Sequence, residues 1–336
     1  MIEWLNTTRE RKRQILNVAS EETLLPEYSI EKDWWVTLSL KAAFSTPWAR
    51  HLVFKGGTSL SKAWNLIERF SEDIDLALDR EALGFEGELS KSAVKRLRRA
   101  ASQFMSQTFK EDLERSLLQM GVQSNQFRLT VRATDQPDLD PRVLELHYES
   151  AVQTNVYIES RVLIEIGARS LREPCSQRPI TSILAAPFPD QPFSGKAFTV
   201  ETVEPKRTFL EKAFLLHEMF YLPAENKNPN RLSRHLYDLE RLSNTPHAEA
   251  ALDDKVLYHS IVEHRERVTP VRGIEYDKHT HDKINFIPPD EAIASWESDY
   301  IAMGHMIYGK KLPFTELLFR LRELQMRFRK AMPHQD

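Results

Sequence analysis

The sequence predicts an α/β (α+β) chain in which a mixed sheet flanked by helices occupies residues 1–204 and a mainly helical portion occupies residues 205–336. Three observations lead there. A short apolar run, His51-Leu-Val-Phe54, stops at Gly56-Gly57 and passes into a helix-like stretch, so strand, tight turn and helix follow one another. Asp73-Ile-Asp-Leu-Ala-Leu78 alternates apolar residues with Asp73, Asp75 and Ala77, the period of two expected of a half-buried strand. After Pro205 helical periodicity dominates to the C-terminus.

Taken in order, Arg9 to Leu24 reads as a charged helix, and Ile30 to Phe44 as a second, with Trp34, Trp35, Leu38, Leu40 and Ala42 on a broad apolar face. The stretch from Thr58 to Leu66 reads as a helix. Ser90 to Met120 reads as a long helix with a basic patch at Lys91, Lys95, Arg96, Arg98 and Arg99. Strands are expected at Phe127–Ala133, Val143–Tyr148 and Val156–Ile166, with turn residues at Gln136-Pro-Asp between the first two. Prolines punctuate 174–192, where turns and short strands are expected. Helices are then expected at Lys206–Phe220, Asn230–Leu242, Ala248–Val268, Asp290–Met303 and Thr315–Met332, with a loop at Thr269–Pro289.

Composition removes several classes. The chain has 336 residues, 46 Lys+Arg against 49 Asp+Glu, a formal charge of −3 and one cysteine. A lone Cys175 excludes an internal disulfide and a Cys-based zinc site, and fits a reducing, cytoplasmic setting. The polar N-terminus has no secretory apolar core, and nowhere do about eighteen apolar residues run together, so no membrane span is expected. Near-neutral charge argues against generic electrostatic binding of nucleic acid. No Gly-Lys-Ser/Thr phosphate loop and no Gly-x-Ser-x-Gly elbow occurs.

The informative stretch is Lys55-Gly-Gly-Thr-Ser59 followed by Arg69-Phe-Ser-Glu-Asp73-Ile-Asp75. Glycines after a strand let backbone N–H groups approach a ligand closely, and hydroxyls at a helix start suit phosphate. The strand that follows presents Asp73 and Asp75 on one face, about 7 Å apart. Two aligned carboxylates repel unless a hard cation lies between them, and Mg²⁺, which shares its shell with substrate phosphates, is the natural one. A third carboxylate would allow a two-metal site. Glu165, on the apolar strand Leu163-Ile-Glu-Ile166, is preferred for it over Glu145.

These motifs resemble the AbiEii/AbiGii nucleotidyltransferase toxin family, within the polymerase-beta-like nucleotidyltransferase superfamily. The resemblance rests on Lys55–Leu60 and Arg69–Asp75. It extends upstream to Glu31-Lys32-Asp33-Trp34 and downstream to Pro205…Lys212 and Arg234-His-Leu-Tyr-Asp238-Leu. Where the family often has Asp beside that arginine, this chain has His235. The resemblance implies that Asp73 and Asp75 bind catalytic Mg²⁺ and that Gly56 and Gly57, with Thr58 or Ser59, hold the triphosphate of an NTP. It places Lys55, Ser71 and Lys212 on phosphate, and Asp238 near the nucleotide or the acceptor hydroxyl. It also implies transfer of a nucleoside monophosphate to a hydroxyl, with the tRNA 3′ end or another RNA as acceptor, in a toxin with a cognate antitoxin partner.

Plainer readings stand beside these. Lys212 adjoins Glu211 and would serve as a solvated ion pair; Arg234 and Asp238 would form a helix-surface pair; Glu165 would be a buried ion pair with Arg161 or Arg169. The basic patches read more readily as solvated helix faces than as RNA grips. His279-Thr-His281 is a weak metal signal, and nothing around Cys175 marks it as a nucleophile. A protein or small-molecule acceptor, or a non-catalytic nucleotide- or RNA-binding module, are the competing functions.

Overall fold

The computed structural model describes residues 1–136, 138–153, 159–222 and 229–331. By internal contacts the chain forms two units: residues 1–63 with 70–203, and residues 64–69 with 204–336. The six residues between Ala63 and Phe70 therefore group with the second unit, although both flanks belong to the first.

In the first unit a seven-stranded mixed sheet has the order β3-β4-β5-β2-β1-β7-β6. Its strands are β1 (Leu52–Lys55), β2 (Asp73–Leu78), β3 (Phe127–Val131), β4 (Arg142–Tyr148), β5 (Arg161–Gly167), β6 (Cys175–Ile180) and β7 (Phe198–Val203). β2 runs antiparallel to β1 and parallel to β5; β7 lies parallel to β1 on the other side. The alternation in β2 holds as the sequence predicts, with Ile74, Leu76 and Leu78 buried and Asp73 and Asp75 half-buried. β5 continues the pattern, Val162, Ile164 and Ile166 being buried. The register carries one apolar face, through Phe54, Leu76, Ile166, Ile164 and Leu144, and one polar face through Lys55, Asp75 and Glu165.

α2 (Glu27–Ala43) contacts β2 and β5, and it is buried nearly all round. The one-sided face expected of it understates its position in the core. It carries three buried charges, each with a partner. Glu31 accepts from the Ala151 N–H (3.0 Å) and the Ser150 hydroxyl. The Lys32 ammonium meets Glu72 at 2.7 Å, and Asp33 meets Lys62 and the Ile183 N–H. The Glu31-Lys32-Asp33 motif is thus a set of braces.

Other expectations shift for physical reasons. α1 (Arg9–Thr23) starts on the Thr8 cap, whose hydroxyl accepts from the Arg11 N–H, and stops where Leu24 turns left-handed. α3 (Gly56–Lys62) is shorter than expected: the chain turns at Asn65 (φ 55°), which no helix can follow. The long helix is α4 (Lys91–Phe104), a π segment at Met105–Phe109 and α5 (Lys110–Gln119). β7 fills part of a stretch that the sequence pattern leaves unassigned. The turn at Gln136-Pro-Asp and the strand expected from Val156 lie partly outside the described residues, as does the end of the last helix.

The second unit holds α6 (Pro205–Tyr221), α7 (Ser233–Ser243), α8 (Pro246–Asp253), α9 (Lys255–Val268), α10 (Ile293–Ala302) and α11 (Phe314–Lys330). The helix expected at 248–268 breaks in two because Asp254 caps α9 through the Leu257 N–H (2.9 Å) and pairs with Lys206 at 2.8 Å. Asp299 fixes the start of α7 by accepting from the backbone N–H groups of Arg231 (2.7 Å) and Ser233 (2.9 Å). His279 lies buried against Glu218 and His217, so the His-Thr-His pair packs the loop onto α6.

Lys32 and Glu72 are each 4% exposed in their side chains. Replacing Lys32 alone with Met should therefore cost about 3–5 kcal/mol of unfolding free energy, and Lys32→Met with Glu72→Met should recover most of it. Urea titration of the two single variants and the double would test this; additive losses would show that the pair is not coupled.

Candidate active site

The site is built by strand pairing. β1/β2 pairing sets Lys55 opposite Asp75, and β2/β5 pairing sets Asp75 opposite Glu165. Asp73, Leu163 and Glu145 occupy the next row of the same face. Lys55, Asp75 and Glu165 thus form one row across three adjacent strands about 4.8 Å apart.

None of these three has a hydrogen-bond or ion-pair partner among the described residues, although each is half-buried. Half-buried charges without partners are costly unless a ligand completes them. Burial, then the charges of Asp75 and Asp73, raise the Glu165 carboxyl to about 7, with Lys55 and Arg132 opposing. Neither expected partner reaches it. Arg161 binds Glu145 (3.1 Å) and Glu159 (2.9 Å), and Arg169 binds Asp140 (2.8 Å). The ion-pair reading of Glu165 is therefore not what the structure shows. Glu145 is the opposite case: burial opposes its ionisation, but Arg132 (2.8 Å), Arg161 and His147 outweigh it and lower its pKa.

Gly56 shapes this row. Its φ of +79° is a left-handed conformation, and a Cβ there would overlap the Asp75 carboxylate. The glycine thus lets the β1–α3 turn pass directly over Asp75. Gly57 continues into α3. Thr58 and Ser59 are buried; the Thr58 hydroxyl bonds the Ser71 hydroxyl (2.9 Å) and the Asp73 carbonyl, and Ser59 donates to the Gly56 carbonyl (2.9 Å). The Thr58 hydroxyl ties the turn to the start of β2, and the Ser59 hydroxyl closes within the turn itself. Ser71 is half-buried beside them.

The donors, all carboxylate oxygens, fit a hard divalent cation. Among the described residues, no three His, Cys, Asp or Glu side chains already converge as a metal cage. Cys175 is no nucleophile: burial and the neighbouring Glu201 push its thiol up to about 12.

In the second unit Lys212 and Asp238 come together at 2.8 Å. Asp238 is completely buried, and Arg69 grips it with two bonds, Nε to Oδ1 at 2.7 Å and Nη2 to Oδ2 at 2.8 Å. Burial opposes this carboxylate's charge, yet Arg69 and Lys212 hold its pKa well below the usual carboxylate range. Glu211 is engaged by Arg207 at 2.9 Å rather than by Lys212. His235 stands 3.3 Å from the Lys212 ammonium through Nδ1; burial and the Lys212 charge keep it neutral, so it accepts. In the sequence Arg69 stands in the motif that leads to Asp73, where no neighbour marks a role for it. Nothing in a lone Arg marks a partner 169 residues away.

The site is thus a glycine turn laid over a carboxylate strand in a mixed sheet. A sequence model described as nucleotidyl transferase AbiEii toxin, type IV toxin–antitoxin system, matches residues 39–320, and the chain belongs to that family. No curated protein matches. Among solved structures, the crystal structure of JHP933 from Helicobacter pylori is similar, with TM-score 0.44 and 14% identity over 91% of this chain and 94% of that one. No helix among the described residues is long and apolar enough to cross a membrane.

Two outcomes are expected. The folded Glu165 pKa, about 7, lies above the ordinary 4.5, so the folded state retains a proton that the unfolded chain loses first. Metal-free protein should lose stability as pH rises from about 4.5 through about 7, by up to on the order of 3 kcal/mol, and Glu165→Gln should flatten that slope. Urea midpoints at pH 5 and 8 would decide; identical slopes in both proteins would refute it. Gly56→Ala should cost about 1–3 kcal/mol of stability, and an Asp75→Gly background should recover part of the loss by removing the clash.

Proposed function

We propose that this chain is a Mg²⁺-dependent nucleotidyltransferase that moves a nucleoside monophosphate from an NTP to a hydroxyl, with the 3′ end of tRNA as acceptor. The observation that carries the reading is the row Lys55–Asp75–Glu165, charged, half-buried and without partners, beneath a glycine turn. Asp73 and Asp75 would hold the cation, which when bound would offset triphosphate charge and acidify the attacking hydroxyl.

The protein's own groups divide the remaining work. Backbone N–H groups of the Gly56–Ser59 turn and the unpaired Lys55 ammonium bind the triphosphate, with Ser71 beside them. Glu165, whose pKa lies near neutrality, takes the proton of the acceptor hydroxyl. The hydroxyl oxygen then bonds to the α-phosphorus, the bond to the bridging α–β oxygen breaks, and pyrophosphate leaves with that oxygen. Membership of a type IV toxin family supports a cognate antitoxin as the protein partner.

Incubating the protein with each α-labelled NTP and total RNA or total protein tests the reaction and the acceptor together. Label should enter RNA and appear at 3′ ends on sequencing. Asp73→Ala should lower transfer by at least about a hundredfold while the unfolding midpoint changes little. Undiminished transfer by Asp73→Ala would overturn the mechanism. Label in the protein pool would overturn the RNA acceptor, and nucleotide binding without turnover on either pool would favour a binding module.

A further inference from the structure

The attachment of residues 64–69 bears on the carboxylate pair that follows them. They group with the helical unit. The Glu68 carbonyl accepts from the Tyr308 N–H (3.1 Å) and the Gly309 N–H (3.2 Å), and the Glu68 carboxylate meets Arg241 at 3.0 Å. A Cβ at Gly309 would collide with Glu68, so the glycine permits this close docking. Arg69 forms a β-bridge with Ile307 and closes on Asp238 with both prongs of its guanidinium.

Arg69 is 2% exposed and Asp238 0%. A two-pronged pair of this kind fixes direction as well as distance, because the planar guanidinium matches the carboxylate in only one orientation. Lys212 adds a second cation to Asp238, and the neutral His235 accepts from Lys212, so the group is saturated. Three residues beyond Arg69, Glu72 is held by Lys32 at 2.7 Å. Only Phe70 and Ser71 separate these two anchored charges, and Asp73 follows at once. Arg69 and Glu72, at the two ends of a four-residue span before Asp73, thus each have a charged partner.

We propose that Asp238 is a positioning residue that acts through Arg69: the ion pair sets the path of residues 69–72 and so the placement of Asp73 and Asp75, with Lys212 balancing its charge. This deepens the nucleotidyltransfer reading and rests on it for its effect on rate. Two variants test it: Asp238→Asn, which keeps shape and loses charge, and Arg69→Lys, which keeps charge and loses the fork. Hydrogen exchange on the protein alone should quicken in peptides spanning residues 70–76 in both, with peptides from β3 and β4 unchanged. In steady-state transfer, kcat should fall about tenfold or more and the Mg²⁺ concentration for half-maximal rate should rise, with KM for the NTP within about twofold.

Wild-type exchange at 70–76 in both variants would overturn the proposal. So would a raised KM for the NTP with kcat intact, which marks a residue that contacts the nucleotide. Should Asp238→Asn fail to fold, Arg69→Lys decides. Absence of transfer by the wild-type protein would defeat the functional reading alone, and the exchange measurement would still decide the positioning role.

Discussion

Parallel pairing of β2 with β5 places Asp75 opposite Glu165 on adjacent strands, and the sheet fixes that register. Two carboxylates this close, with Asp73 in the next row, repel strongly at the low effective dielectric of a half-buried site. Burial first, and this repulsion second, raise the Glu165 pKa. Such an arrangement persists only when the surrounding strands leave it no alternative, and the seven-stranded sheet with a buried apolar face supplies that constraint.

Buried charge also recurs within each unit. Glu31, Lys32 and Asp33 on α2, and Arg69, Lys212 and Asp238 in the second unit, are buried charges with defined partners. Buried ion pairs contribute little net stability, because desolvation offsets the attraction, but a wrong pairing leaves a bare charge in the core. On α2 and on the stretch that enters β2, such pairs disfavour a shifted packing. Apolar contacts at the same positions would tolerate small slips, and a slip of one residue in β2 would turn Asp73 and Asp75 to the opposite face.

Much of the site was legible because its signals are local. The alternation in 73–78 gives the strand and the shared face of its carboxylates, and Gly56-Gly57 marks the turn. The preference for Glu165 over Glu145 follows from its apolar flanks, and the three cationic neighbours of Glu145 explain why that carboxylate is already satisfied. The hydroxyls of Thr58 and Ser59 were less legible. They look like phosphate ligands at a helix start, whereas their bonds to Ser71, Asp73 and Gly56 make them fasteners of the turn.

What the sequence determined by itself is the class of fold, the β1–turn–α3 unit and the Asp-x-Asp strand, since each depends on periodicity and turn chemistry within a few residues. Tertiary structure alone decided which strands adjoin β2, and so set Glu165 opposite Asp75. It alone joined Arg69 to Asp238 across 169 residues and placed 64–69 with the helical unit. These are pairings of distant segments, and a side chain's sequence neighbours carry no record of the partner it will meet when the chain closes on itself.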